Sequence, residues 1–185
     1  MILDAFETML DHEPPAWVRK REAVALMGVF AQAFEVDAPS LEAASADEAL
    51  RAFREFTAAC MQAALVDAAS AETYRVRLGD QARSFGAKVR RTLPVRSSSA
   101  FRFVRFFYRG IGINLTGDVP GELRFGPCSF AQRYLPGECW LMSAFDEGFI
   151  SGFLGKHGAL EFSCRLTEGA SCCRATFVQL GGSRG

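Results

Sequence analysis

The stretch that decides the fold spans residues 138–180 and reads ECWLMSAFDEGFISGFLGKHGALEFSCRLTEGASCCRATFVQL. Its first part follows Pro136-Gly137 and predicts a helix over 138–154. Its last part predicts two paired strands over 159–166 and 172–180, joined by a turn at 167–171. A helix followed by a hairpin is therefore expected here, and this segment also holds four of the six cysteines.

Upstream of this stretch the sequence is mainly helical. Apolar spacing and breaks predict helices over 2–11, 15–35, 46–66 and 70–93, with Ser45-x-x-Glu48 in capping-box form and Ser70 as a further cap. The run Phe101–Ile111 favours a helix, although so many aromatic residues also suit a strand. Residues 121–130 predict a strand leading to Cys128. We expect an α+β fold in which a helical region, 1–95, precedes a cysteine-rich α/β region, 96–185, the two forming one compact unit with a small antiparallel sheet and helices enclosing a pocket.

Composition excludes a disordered or collagen-like chain. The 185 residues are 49% hydrophobic and include 17 phenylalanines, enough to bury a sizeable core. No apolar run is long enough to cross a bilayer, and the N-terminal MILDAFETML lacks the basic residues of a secretory signal. We therefore predict a cytoplasmic protein whose cysteines are reduced.

The net charge of zero hides a basic segment at residues 73–109. This segment holds 10 Lys and Arg against one acidic residue, whereas residues 1–72 hold 5 against 13. Arginines interleaved with phenylalanines can bind nucleic acid or an anionic membrane. They can equally pack their aromatics inward and pair with the acidic N-terminal half, and we favour this second interpretation. Nucleic acid and membrane are thus disfavoured as partners.

Two groups of side chains can carry chemistry. Cys139, Ser143 and Asp146 lie at i, i+4 and i+7 on the predicted helix, where a thiol and a carboxylate on one face suit nucleophilic or acid–base catalysis. The alternative is a small buried thiol beside a carboxylate in an ion pair.

The second group lies on the predicted hairpin. Glu161, Cys164, Cys172 and Cys173 can join Cys139 around a tetrahedral zinc ion, or they can be buried thiols beside a solvated carboxylate. A Cys–His pair is possible only through His157, in a glycine-flanked turn.

These C-terminal residues resemble the L-2-amino-thiazoline-4-carboxylate hydrolase family. The resemblance rests on Pro127-Cys128-Ser-Phe130, Cys139, Asp146-Glu147, Leu160, Leu166-Thr-Glu-Gly169, Cys173 and Phe177. It implies a ring-opening hydrolase in which Cys128, Cys139 and Asp146 are catalytic. Nearby Arg124 and Arg133, together with Ser143, are the predicted substrate-binding residues, since arginine can bind a carboxylate or lower a thiol pKa.

The same stretch is similar to the vinyl-reductase-type ligand-binding domains of bacterial regulators. In those domains a zinc ion is held by a cysteine, a Glu-x-x-Cys motif and a further cysteine. Here Cys139, Glu161-Phe-Ser-Cys164 and either Cys172 or Cys173 follow in that order. This resemblance implies the alternative function, a non-catalytic small-ligand-binding or sensory domain with structural zinc. In both cases we expect a small-molecule ligand or substrate, and a homodimer is possible because exposed helical faces commonly pair.

Overall fold

The computed structural model describes residues 7–93, 95–156 and 158–179. After helical residues 7–9, the helices are α1 (Ala16–Phe34), α2 (Ala46–Ala64), α3 (Ala68–Thr92), α4 (Ala100–Gly110) and α5 (Pro136–Leu154). The strands are β1 (Ile113–Gly117), β2 (Glu122–Cys128), β3 (Gly158–Cys164) and β4 (Cys173–Gln179). Residues 2–6 of the first predicted helix, His157 and Leu180 lie outside the described residues.

The four strands form one antiparallel sheet in the order β1-β2-β4-β3. Helices precede the sheet and α5 packs against it, so the α+β prediction is confirmed. The predicted strands 121–130, 159–166 and 172–180 match β2, β3 and β4, whereas β1 was not predicted. Leu123, Phe125, Ala175 and Phe177 are buried on one face of the sheet, and the residues between them along β2 and β4 are mostly exposed, as the two-residue period of a strand requires.

Local capping explains where the early helices begin. The capping box at α2 is confirmed. The Glu48 amide donates to Ser45 Oγ at 3.3 Å, and the Ser45 amide donates to the Glu48 carboxylate at 2.8 Å. Ser70 was predicted to cap α3, and this was wrong. Asp67 is the cap, and it accepts from the Ser70 amide at 2.9 Å, because a carboxylate at that position satisfies a free amide of the first turn.

Helix α5 is the centre of the molecule. Phe145, Phe149 and Phe153 are buried within a cluster of aromatic rings supplied by α1, α3 and α4. On the side that meets α3, Gly148 and Gly152 let the two backbones approach closely. A Cβ at Gly148 would lie 2.2 Å from the Gly79 carbonyl oxygen, and one at Gly152 would lie 2.1 Å from that of Arg83. The remaining side of α5 faces the sheet.

The basic segment 73–109 folds onto the acidic N-terminal half. Arg77 pairs with Glu35 at 2.9 Å, Arg96 pairs with Glu7 at 3.1 Å, and Arg102 pairs with Asp11. The aromatic side chains of α4 are buried. The inward-packing interpretation of this segment therefore agrees with its placement in the fold. None of the helices within the described ranges is long and apolar enough to cross a bilayer.

Candidate functional site

A cavity of about 40 Å³ lies between α5 and the sheet. Its polar lining comes from distant parts of the chain: Cys128 ends β2, Cys139 and Asp146 lie on α5, and Cys173 begins β4. The rest of the lining is apolar or aromatic, apart from Arg165, and consists of Ile113, Phe125, Phe130, Tyr134, Met142 and Phe162. The three residues predicted to be catalytic thus line one cavity.

Asp146 is half-buried on the cavity side of α5, where its carboxylate accepts a hydrogen bond of 2.7 Å from the Tyr108 hydroxyl. Burial raises the pKa of Asp146 to about 7, which outweighs the opposite effect of the Tyr108 hydrogen bond. Burial also raises the pKa of Tyr108, so this tyrosine remains a neutral donor. Asp146 can therefore exchange a proton near neutral pH, as general acid–base catalysis requires.

The raised pKa of Asp146 predicts how stability depends on pH. In the unfolded chain this carboxyl ionises near 3.8, but in the folded chain it keeps its proton to about 7. As pH rises between these values, the unfolded state releases the proton first, so the free energy of unfolding falls by up to about 1.4 kcal/mol per pH unit. Asp146→Asn keeps the size of the side chain and cannot ionise. Urea unfolding should show this variant gaining stability relative to the native chain from pH 4 to 7 and keeping a constant difference above pH 7. Parallel pH dependence of the two proteins would contradict a buried, titrating Asp146.

The three cavity thiols differ in acidity. A hydrogen bond from the Cys173 thiol lowers the pKa of Cys139, with a further lowering by the Thr167 hydroxyl, and together these outweigh burial. The same hydrogen bond, together with burial, raises the pKa of Cys173, whose sulfur also accepts the Leu166 amide at 3.3 Å. Burial raises the pKa of Cys128 to about 11. Cys139 is therefore the cavity cysteine that most readily forms a thiolate, the nucleophilic form.

One donor in the cavity lining has no hydrogen-bond partner within the described residues. It is the Nε of Arg165, which is buried. The Arg165 side chain is 17% exposed, stacks over Phe162 at 4.9 Å, and pairs through its Nη1 with Glu168 at 3.3 Å. An anionic or oxygen-rich ligand group in the cavity can accept from such a donor. Sequence reasoning missed Arg165, Thr167 and Tyr108, because their roles depend on a turn after β3 and on the face that α4 buries.

The residues predicted to bind substrate do not line the cavity. Arg124 faces the other side of the sheet, is 60% exposed, and bonds to Glu122 at 2.6 Å. Arg133 is 47% exposed and lies 3.6 Å from Glu55. Ser143 is buried, and its hydroxyl donates to the Trp140 carbonyl in its own helix at 2.6 Å. Met142 lines the cavity where Ser143 was expected. Counted from Cys139, Met142 is at i+3 and Ser143 is at i+4, and these two positions lie on opposite sides of the line along the helix that joins Cys139 to Asp146.

The predicted zinc ligands lie in two places. Cys139 and Cys173 face the cavity, whereas Glu161 is exposed opposite Thr176, and Cys164 pairs with exposed Arg174 after a bulge in β3. Cys172 hydrogen-bonds to Arg174, a contact that raises the pKa of this arginine. In the part of the chain that the structure describes, no three His, Cys, Asp or Glu side chains are placed to hold a metal ion. Strand alternation places Glu161 away from the cavity and the bulge places Cys164 opposite Arg174, so these residues do not fit a closed zinc site. His157, the histidine that a Cys–His catalytic pair would need, lies outside the described residues.

These features define a small α+β protein with a thiol–carboxylate cavity between a central helix and an antiparallel sheet. Comparison with protein-family models, with curated proteins and with solved structures finds no match.

Proposed function

We propose that the protein is a small-molecule hydrolase of the L-2-amino-thiazoline-4-carboxylate type, which acts on a carbon–nitrogen bond at a ring C=N or amide carbon. Cys139 is its nucleophile and Asp146 its proton donor and acceptor. The observation that carries the proposal is the meeting of these two groups on one cavity. There the thiol is made more acidic and the carboxyl less acidic than usual. Opposite shifts in paired groups are typical of catalytic sites.

The reaction follows from these residues. The Cys139 thiolate attacks the electrophilic carbon and forms a C–S bond, the C–N bond breaks, and the departing nitrogen receives the proton of Asp146. Water then attacks the same carbon while the Asp146 carboxylate takes its proton, and the C–S bond breaks to return the thiolate. The Cα atoms of Cys139 and Asp146 lie about 10 Å apart along α5, since the two residues are seven positions apart. The cavity exceeds the volume of one water molecule, so water can carry the proton between them.

Arg165 is the proposed binding residue for a substrate carboxylate. Its buried Nε lacks a partner among the described side chains, and it is the one cation in the cavity lining. It therefore takes the role that the sequence had indicated for Arg124 and Arg133. The cavity is small and mostly apolar, so the substrate is expected to be compact and to present its reacting carbon to Cys139.

The test is turnover of L-2-amino-thiazoline-4-carboxylate by the purified, reduced chain, followed as loss of substrate by chromatography. The expected result is catalysis with a pH profile that changes near pH 7, where Asp146 titrates. Asp146→Asn should lose that turnover while remaining folded. Absence of turnover with this substrate and with small amides and amidines would overturn the proposal.

Arg165→Gln is expected to raise KM about tenfold or more with a smaller change in kcat, because a charged hydrogen bond to the substrate carboxylate is lost. Arg124→Gln is the matched control, since it removes an exposed arginine from the opposite face of the sheet. Steady-state kinetics of both variants checks this prediction. A larger KM effect at Arg124 would place the carboxylate elsewhere.

The second candidate is non-catalytic binding of a small apolar ligand, favoured by the aromatic lining of Phe125, Phe130 and Phe162. In that case ligands would raise the melting temperature without being consumed. The zinc-stabilised version of this candidate predicts one bound zinc per chain. Metal analysis of the purified protein decides it, and the separation of Glu161 and Cys164 from Cys139 argues against it.

A further inference from the structure

We infer that Cys139 and Cys173 form a peroxide-reactive dithiol, in which Cys139 reduces a hydroperoxide and Cys173 closes a disulfide. This is an activity separate from the proposed hydrolysis. It uses a different substrate class, small hydroperoxides, and does not depend on Asp146.

The cavity brings together the groups that reduction of a hydroperoxide requires. The two thiols line the same cavity, and the hydrogen bond between them is the largest cause of the pKa shift of each. Beside them is the buried Nε of Arg165, a donor without a hydrogen-bond partner within the described segments, and the Thr167 hydroxyl lies next to Cys139. Reduction of a hydroperoxide requires a thiolate, donors for the peroxide oxygens, a cation near the departing oxyanion, and a second thiol in contact. Each of these is present here.

The chemistry balances in two steps. The Cys139 thiolate attacks the outer oxygen of a hydroperoxide ROOH. The O–O bond breaks, Cys139 becomes a sulfenic acid, and the departing RO⁻ takes a proton from water to give the alcohol. Cys173 sulfur then attacks the Cys139 sulfur, the S–O bond breaks, and the hydroxyl leaves with the Cys173 proton as water. Two molecules of a small external thiol reduce the disulfide and restore both cysteines.

The hydrogen bond between the thiols assists both steps. Before oxidation, the Cys173 proton stabilises the Cys139 thiolate, which is why the pKa shifts of the two groups are opposite. After oxidation that thiolate is gone, and with it the largest cause of the raised pKa of Cys173. Cys173 then ionises more easily and can attack. Cys128 lines the same cavity, but burial keeps it protonated.

The experiment treats the reduced full-length protein with one equivalent of hydrogen peroxide or cumene hydroperoxide at pH 7. Thiols are counted after denaturation, and disulfides are located by peptide mass spectrometry. The six thiols should fall to four, with Cys139 linked to Cys173. The rate should exceed that of free cysteine severalfold, since the lowered pKa of Cys139 increases the fraction of its thiol that is ionised at pH 7 and the Arg165 donor can stabilise the departing oxygen. Faster reaction with cumene hydroperoxide would show that the apolar lining selects organic hydroperoxides.

Variants separate this activity from hydrolysis. Cys173→Ser should leave a sulfenic acid on Cys139 that dimedone traps, and Asp146→Asn should lose hydrolysis while the peroxide reaction persists. Cys164→Ser is the control, because Cys164 pairs with exposed Arg174 rather than lining the cavity. A rate equal to that of free cysteine, or a disulfide between Cys164 and Cys172, overturns the inference, whatever the hydrolase assay shows.

Discussion

Cys139→Ser is expected to lower kcat for the proposed substrate by about a thousandfold or more while the protein stays folded. Serine is nearly the same size, but its hydroxyl does not ionise near neutral pH, so it cannot use the hydrogen bonds from Cys173 and Thr167 that favour the thiolate. Turnover of each purified variant is measured at equal concentration, and circular dichroism confirms the fold.

Cys164→Ser and Cys60→Ala are the matched controls for Cys139→Ser. Cys164 is half-buried outside the cavity lining, and Cys60 is buried in α2 where burial raises its pKa to about 11. Both variants should keep full turnover. Alkylation by iodoacetamide at pH 7 tests the reactivity of Cys139 without any substrate. Cys139 should be alkylated before the other five thiols. Loss of turnover in Cys128→Ser with activity retained in Cys139→Ser would assign the nucleophile to Cys128 instead.

Secondary structure in this protein follows largely from local pattern. The helix 138–154 and the strands around Cys164 and Cys173 were predictable because apolar spacing and turn residues are strong there. Strand β1 was not, because INLTG is only five residues long and ends in glycine. A segment of that kind becomes a strand only when β2 offers it a hydrogen-bonding edge.

The site was less predictable because small rotations and one bulge decide it. A choice between i+3 and i+4 put Met142 rather than Ser143 on the cavity, and the irregularity between Phe162 and Cys164 changes how Cys164 is paired. Spacing in the sequence cannot resolve either. The pKa shift of Asp146 likewise depends on burial by the surrounding fold and on contact with Tyr108, which is 38 residues away. The sequence therefore identified residues that can carry chemistry, but it did not identify the side chains that contact them.

The close approach of α3 and α5 holds α5, and with it one side of the cavity, in position. Gly152→Ala tests this close approach. The new methyl group would lie 2.1 Å from the Arg83 carbonyl oxygen, well inside contact distance, and the obstacle is backbone that cannot rotate away. The two helices must separate, which should lower the free energy of unfolding by about 1–3 kcal/mol. Gly148→Ala should act in the same direction, since its methyl would lie 2.2 Å from the Gly79 carbonyl oxygen. Urea unfolding measures both.

Gly28→Ala is the control for Gly152→Ala, because it makes the same change in a helix with nothing within 4 Å of the new methyl group. It should stabilise the chain by up to about 1 kcal/mol, the ordinary helix preference for alanine over glycine. The opposite signs of the two substitutions separate steric conflict from propensity. Because α5 also carries Cys139 and Asp146, Gly152→Ala should reduce turnover even under conditions where it remains folded. A stabilised Gly152→Ala would mean that the helices are farther apart than described, and the position of the thiol–carboxylate pair on the cavity would then be in question.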